Sequence, residues 1–511
     1  MSKRIHRFLF LPAALSLATA ALVASHSSRA ASPQKSSVAT AVTRNAAIVA
    51  TTAEVLKQTS EIRELPILRP VKSGAESRAD IERMLIKNLN EQMTAAEMHA
   101  TEVSLRKFGL APVDFEYRPF IIKLLTEQVA GYYDPKAQEF HLADWLELET
   151  QKPVMAHELT HALQDQHFNL RRFEKWPHGD SDAELAAHAL VEGDATLAMT
   201  FYMLKHPLEA LAFNRSLSAG ISTEQYNQAP RAMRESLIFP YLQGSEWATQ
   251  VYKRGGWKMV SDAYTRLPLS SEQILHAEKY FKYEKPIKVE LPDLTNLLNG
   301  RVEPTANSKQ QTANSKDELT RGEPTSAGTA GVSPAPVAKA SSRRSTTRLS
   351  TTNHPPPTAH RPLPAAGWRR IDSDVNGEWS YYLVLDQFLN SPAESKRAAA
   401  GWGGDRYAVY EEPKSGQVFL AQLSVWDTET DAREFFEAYV KRTELRYSGA
   451  TELGSSDSKL DPRNAAPGTR TSYSWTTDEG NVLIELRGVR VVILEGVPES
   501  VDSNALLKSL Q

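Results

Sequence analysis

Two histidines and a glutamate stand together in the run His157-Glu158-Leu159-Thr160-His161. On a helix, residues four apart lie one turn above the other, so His157 and His161 can offer two imidazoles to one ion. Glu158, about 100° round the same helix, falls beside that face, where a carboxylate can take a proton from water. The chemistry such a pattern serves is hydrolysis assisted by one Zn²⁺ ion, which acidifies water near neutral pH. The flanking Val154, Met155, Ala156, Leu159, Ala162 and Leu163 predict a buried helix, and buried imidazoles need partners.

A catalytic zinc site takes a third protein ligand and keeps one position open. Two residues compete for that place. His167 has the spacing of HExxHxxGxxH, a pattern that needs glycine so the chain can turn back to the metal. Gln164 stands at the glycine position. A helix that continues through it carries His167 nearly three turns beyond His157, out of reach. Glu192, in Ala189-Leu190-Val191-Glu192-Gly193-Asp194-Ala195, is a carboxylate on an apolar helix, costly unless paired or on a metal. His157, His161 and Glu192 are therefore the expected metal ligands, with Glu158 as general base. His188, one turn before Glu192, is a weaker rival. Asp165 and Asp194 are candidate acceptors for the second imidazole nitrogens. A donor for a developing oxyanion is sought in His276, Tyr241 and Tyr280.

These residues need elements to hold them. Helical periodicity begins near Thr52 and recurs over 78–108, where Ile81, Met84, Leu85, Leu89 and Met93 share a face. Another helix spans Phe120 to Val129. Gly131 to Leu142 reads as a β-hairpin turning at Asp134-Pro135. The metal-motif helix follows over about 153–167, then a long helix over about 181–204, then helical stretches through 223–282. The hairpin is a candidate shelf for an extended peptide. Residues 301–366 are rich in Pro, Ser, Thr and Ala and repeat Thr-Ala-Asn-Ser-Lys at 305–309 and 312–316. Such a segment is too poor in large apolar residues to fold, and reads as a disordered linker. Globular patterning resumes at Trp368, with strands over 418–426 and 481–494 and a helix over 431–445. The predicted organisation is a signal peptide at 1–30, a flexible leader at 31–48, a mainly helical domain at 49–300, the linker at 301–366, and a small α+β accessory domain at 367–511. The fold class is α+β. Gly401-Trp402-Gly403-Gly404-Asp405-Arg406-Tyr407 lacks the Lys-Ser/Thr of a phosphate loop and is expected to form a tight turn beside a packed Trp402. The accessory domain is read as a binding or docking module for an unknown ligand or partner.

The 511 residues exceed one ordinary core. The net charge of -3 gives no reason to expect nucleic acid. The absence of cysteine excludes disulfides, thiolate ligands and a thiol nucleophile. Lys3, Arg4 and Arg7 precede an apolar run from Phe8 to Ala24, and Ser28-Arg29-Ala30 offers a cleavage point. These mark an exported protein, periplasmic or secreted, with no membrane span after cleavage.

The HELTH helix with Glu192 resembles the gluzincin division of zinc peptidases, thermolysin-like in its His2Glu ligands. More narrowly, the chain resembles a poorly characterised group of exported bacterial predicted zinc peptidases. The likeness lies in Glu127-Gln128-Val129-Ala130-Gly131-Tyr132-Tyr133-Asp134-Pro135, in HELTHALQDQH and in ALVEGDAT. It continues in Phe239-Pro240-Tyr241 with Gly244, in Ser271-Glu272-Gln273-Ile274-Leu275-His276, and in the run from Gly401 to Tyr407. It covers about 50–285 and 367–511. The group usually has Pro after the His of the ILH segment, where this chain has Ala277. The resemblance implies a zincin-like domain, one zinc ion, Glu158 as base and a peptide or protein substrate. Two rivals stay open: an exported scaffold of the same fold without turnover, and a metzincin-like peptidase using His167.

Overall fold

The computed structural model describes residues 38–176, 179–220, 224–300, 367–455 and 470–510. The expected signal peptide and linker lie outside the described residues. The chain is mixed α+β. Its N-terminal half runs α1 (Val38–Arg63), β1 (Lys72–Glu76), α2 (Arg78–Gln92), α3 (Ala95–Lys107), α4 (Tyr117–Gln128), β2 (Gly131–Asp134), β3 (Glu139–Ala143), α5 (Lys152–Phe168) and α6 (Ser181–Lys205). It continues through α7 (Pro207–Gly220), α8 (Glu224–Gln228), α9 (Arg231–Asp262), α10 (Ser271–Leu275), α11 (Ala277–Lys282) and α12 (Thr295–Leu298). The stretch expected as a leader is helical from Val38, in keeping with the high helix propensity of alanine. Ile81, Leu85 and Leu89 form the buried face of α2, as their spacing predicts. A Thr94–Glu97 capping box starts α3.

The expected hairpin forms: β2 pairs antiparallel with β3, from Gly131 opposite Leu142 to Asp134 opposite Glu139. Its turn is held by the Asp134 carboxylate, which accepts from the Lys136 N–H at 2.7 Å. On the other side β1 pairs with β3 in parallel, giving the order β1-β3-β2 with β2 at an edge.

The C-terminal half comprises β4 (Arg369–Asp374), α13 (Gly377–Leu389), α14 (Pro392–Ala399), β5 (Trp402–Glu412), β6 (Gln417–Trp426), α15 (Glu429–Arg446), β7 (Thr451–Ser455), β8 (Arg470–Thr477), β9 (Gly480–Arg487), β10 (Arg490–Val497) and α16 (Ser503–Ser509). Its strands make one antiparallel sheet in the order β4-β5-β6-β10-β9-β8-β7. The run from Gly401 to Tyr407 is not a free turn. It opens β5 with a bulge between Trp402 and Gly404. A Cβ on Gly404 would lie 2.1 Å from the Ile287 carbonyl oxygen, so the glycine lets the chain after α11 lie on the strand.

The halves share a core. Phe108, Trp247 and Ile274 belong to the same buried cluster as Trp379, Tyr407 and Phe435. A second cluster joins Val289, Leu294 and Leu298 to Tyr410 and Phe419. Arg442 donates to the Phe108 carbonyl at 2.7 Å, and buried Lys107 pairs with Glu479 at 2.7 Å. The C-terminal half is thus built into the N-terminal half, where composition alone suggests a tethered module. Among the described residues, no helix is long and apolar enough to cross a membrane.

Candidate metal centre

The motif helix α5 is buried from Pro153 to Asp165 and continues unbroken past Gln164. It ends at Asn169, which takes a left-handed conformation at φ 57°. Continuation decides where His167 goes: its Nε2 meets the Pro66 carbonyl at 2.8 Å on the exposed side. Glu192 instead converges on the two imidazoles. Its Oε2 lies 3.1 Å from His157 Nε2 and 3.3 Å from His161 Nε2. The two Nε2 atoms are themselves 3.1 Å apart, with the rings at 86° to one another.

Three ligand atoms on one tetrahedral zinc, each at about 2.0–2.1 Å, must lie about 3.3 Å apart. The His157, His161 and Glu192 atoms meet that spacing, and their N2O set is one that zinc takes. Glu158 completes a group of His and carboxylate atoms, with His157 and His161, that lie within 4.8 Å of one another. Burial would lower the His161 imidazole, but the Glu192 charge outweighs it and holds the group up at about 9. Burial would raise Glu192, yet the His161 charge and the His157 hydrogen bond hold it down at about 2.

The helix carrying Glu192 is set by a close crossing of α6 over α9, where Gly193, Gly244 and Ala189 meet. The same crossing sets Tyr241, one turn before Gly244 on α9. Its ring stacks on His157 at 6.0 Å between centroids. Glu158, 1% exposed, accepts from the Tyr133 N–H at 2.9 Å. That N–H points away from β3, so the free edge of β2 runs beside the carboxylate.

Other expected residues lie elsewhere. His276 pairs through Nε2 with Glu378 of α13 at 2.9 Å. Its helix, α10, docks where Ser271 N donates to Asp182, ten residues before Glu192, or about 15 Å along α6. Tyr280 is packed against Trp247 and donates to the Arg266 carbonyl at 3.0 Å. His188 is buried on α6, one turn before Glu192. Asp165 accepts from Tyr133 Oη at 3.0 Å, Arg69 at 2.9 Å and Leu170 N at 3.1 Å, tying down the end of α5. Neither Asp165 nor Asp194 bonds an imidazole directly. The residue that does is Gln164, whose Oε1 lies 2.8 Å from His161 Nδ1. Sequence reasoning treats Gln164 only as a missing glycine. Arg63, which pairs with Asp194, is 131 positions from its partner and carries no local signal.

Residues 363–506, which take in the C-terminal unit from β4 to the start of α16, match the family Domain of unknown function (DUF8575). No curated protein and no solved structure matches the chain. The match leaves the unit that carries His157, Glu158, His161 and Glu192 outside it.

Proposed function

We propose that this chain is an exported zinc-dependent peptidase of zincin-like fold that hydrolyses peptide bonds. The observation that carries the reading is the triangle of His157 Nε2, His161 Nε2 and Glu192 Oε2, at 3.1, 3.1 and 3.3 Å, with Glu158 beside it. A bound Zn²⁺ would supply Lewis acidity toward a carbonyl oxygen and make water acidic. Glu158 is the base that takes the proton of the attacking water, and then the acid that gives it to the leaving amine. The Tyr133 N–H fixes its carboxylate for that role. Tyr241, stacked on His157, is the side chain this reading assigns as oxyanion donor. The edge of β2 offers main-chain groups to an extended substrate. Export rests on the N-terminal segment, outside the described residues.

The test is metal analysis of the purified chain together with hydrolysis of an unfolded protein. Wild type should hold one zinc and cleave. Glu158→Gln should hold the same zinc and lose about 10²–10⁴-fold in turnover. Cleavage by Glu158→Gln at the wild-type rate would overturn the mechanism.

A further inference from the structure

His161 is a ligand only if its Nε2 carries a lone pair, so the ring proton must sit on Nδ1. The surroundings settle where that proton lies. Gln164 Nε2 faces the Val191 carbonyl at 3.1 Å and Asp194 Oδ2 at 2.9 Å. Neither oxygen is a donor, so the amide nitrogen must be the end that points there. Its Oε1 is then left facing His161 Nδ1 at 2.8 Å, and an amide oxygen can only accept. The retained proton therefore belongs on Nδ1, so the neutral ring carries its lone pair on Nε2, the nitrogen that faces His157 and Glu192.

What holds the amide is itself held. Asp194 is 0% exposed and receives Arg63 Nε at 2.5 Å and Arg63 Nη2 at 3.1 Å. Tyr264 Oη donates to the same Oδ2 at 2.9 Å. Arg63, the last residue of α1 and also 0% exposed, bonds Ser261 Oγ and lies over the Trp257 ring at 4.6 Å. A fully buried ion pair gains little net stability over apolar packing. It does fix an orientation, because both charges lose heavily if either turns away.

We propose that Gln164 is a positioning residue for the metal centre, which selects the ligand tautomer of His161, and that the Arg63–Asp194 pair holds Gln164 in that orientation. The inference rests on the proposed metal reading of the site. It makes α1, remote in sequence, a working part of the centre, and it gives Gln164 a reason to stand where a turning pattern would need glycine.

The test uses the full chain and Zn²⁺ alone, titrated in competition with a chromophoric chelator. Near-ultraviolet circular dichroism of each protein checks that the fold is kept. Gln164→Met, close in volume and without the amide, should bind zinc about 10–100-fold more weakly than wild type while folded. Arg63→Lys keeps the charge but loses the two-pronged grip, and should show a smaller loss of the same sign; it carries the test if Gln164→Met does not fold. A purely structural role would lower thermal stability and leave the zinc affinity of the folded protein unchanged. Equal zinc affinity in wild type and both folded variants overturns the inference. A wild-type chain that takes up no zinc overturns the proposed function beneath it.

Discussion

Gly193 of α6 meets Gly244 of α9 backbone to backbone: a Cβ added to Gly193 would lie 2.2 Å from the Gly244 carbonyl carbon, and one added to Gly244 would lie 2.3 Å from the Ala189 carbonyl oxygen. Neither obstacle is a flexible side-chain tip, so the helices must part to admit a methyl group. Glu192 precedes one glycine and Tyr241 stands a turn before the other, so parting the helices moves both. Gly193→Ala or Gly244→Ala should cost about 3 kcal/mol of stability and weaken zinc binding at the same time. Thermal unfolding and zinc titration on the same samples check this; either alanine variant matching wild type in both would contradict the crossing as described.

The ligand set separates by mutation. Glu192→Ala should lose more zinc affinity than the roughly 10–100-fold that outer partners cost, since it removes the atom at 3.1 and 3.3 Å from the two imidazoles. His167→Ala should change zinc affinity little, because its Nε2 faces Pro66. The reverse pattern would restore the metzincin-like alternative.

Two oxyanion candidates now stand apart in space. Tyr241→Phe should lower kcat about 10²-fold, the lower end for loss of one such donor, while zinc content and KM hold. On the proposed function, His276→Ala should leave kcat of the folded protein near wild type and lower stability, since it abandons buried Glu378. A kcat loss confined to His276→Ala would return the role to His276.

Stability should fall as pH rises across the range from about 4 to 8. Burial, reinforced by the Asp372 charge, pushes Asp374 up to about 8 from 3.8. Burial likewise raises Asp405 to about 6 and Glu272 to about 8. Folded pKa values above the unfolded ones mean that the native state binds more protons, so unfolding free energy decreases with pH between the two. Asp374 accepts from Ser181 N and Val375 N through Oδ1, contacts that an asparagine oxygen keeps. Asp374→Asn should therefore fold and flatten the decline. Unfolding temperatures measured from pH 5 to pH 8 check this; a steeper decline in the variant would contradict it.

The pairing of His157 with His161 is legible in the sequence because it rests on local periodicity: four residues set one imidazole over the other, and Gln164 in place of glycine keeps the helix straight. The hairpin is legible from Asp134-Pro135 between alternating residues. What sequence does not reveal is whatever depends on distant partners. Arg63 carries no signal in the sequence until Asp194 is seen against it. His276 reads as a free donor until Glu378, 102 positions away, takes its Nε2. The biased composition of 301–366 suggests two independent bodies, but composition says nothing of the apolar faces on either side, and those meet.

That meeting has an evolutionary consequence. The sheet face carrying Tyr410 and Phe419 is roofed by Val289, Leu294 and Leu298, which lie before the 363–506 family match, and by Leu507 and Leu510, which lie after it. A piece excised at the match boundaries would bare an apolar surface of the kind that drives self-association. A substitution that enlarges a roof residue must be answered by a smaller one beneath it. Each half thus constrains which substitutions the other can accept, through the apolar residues they hold in common.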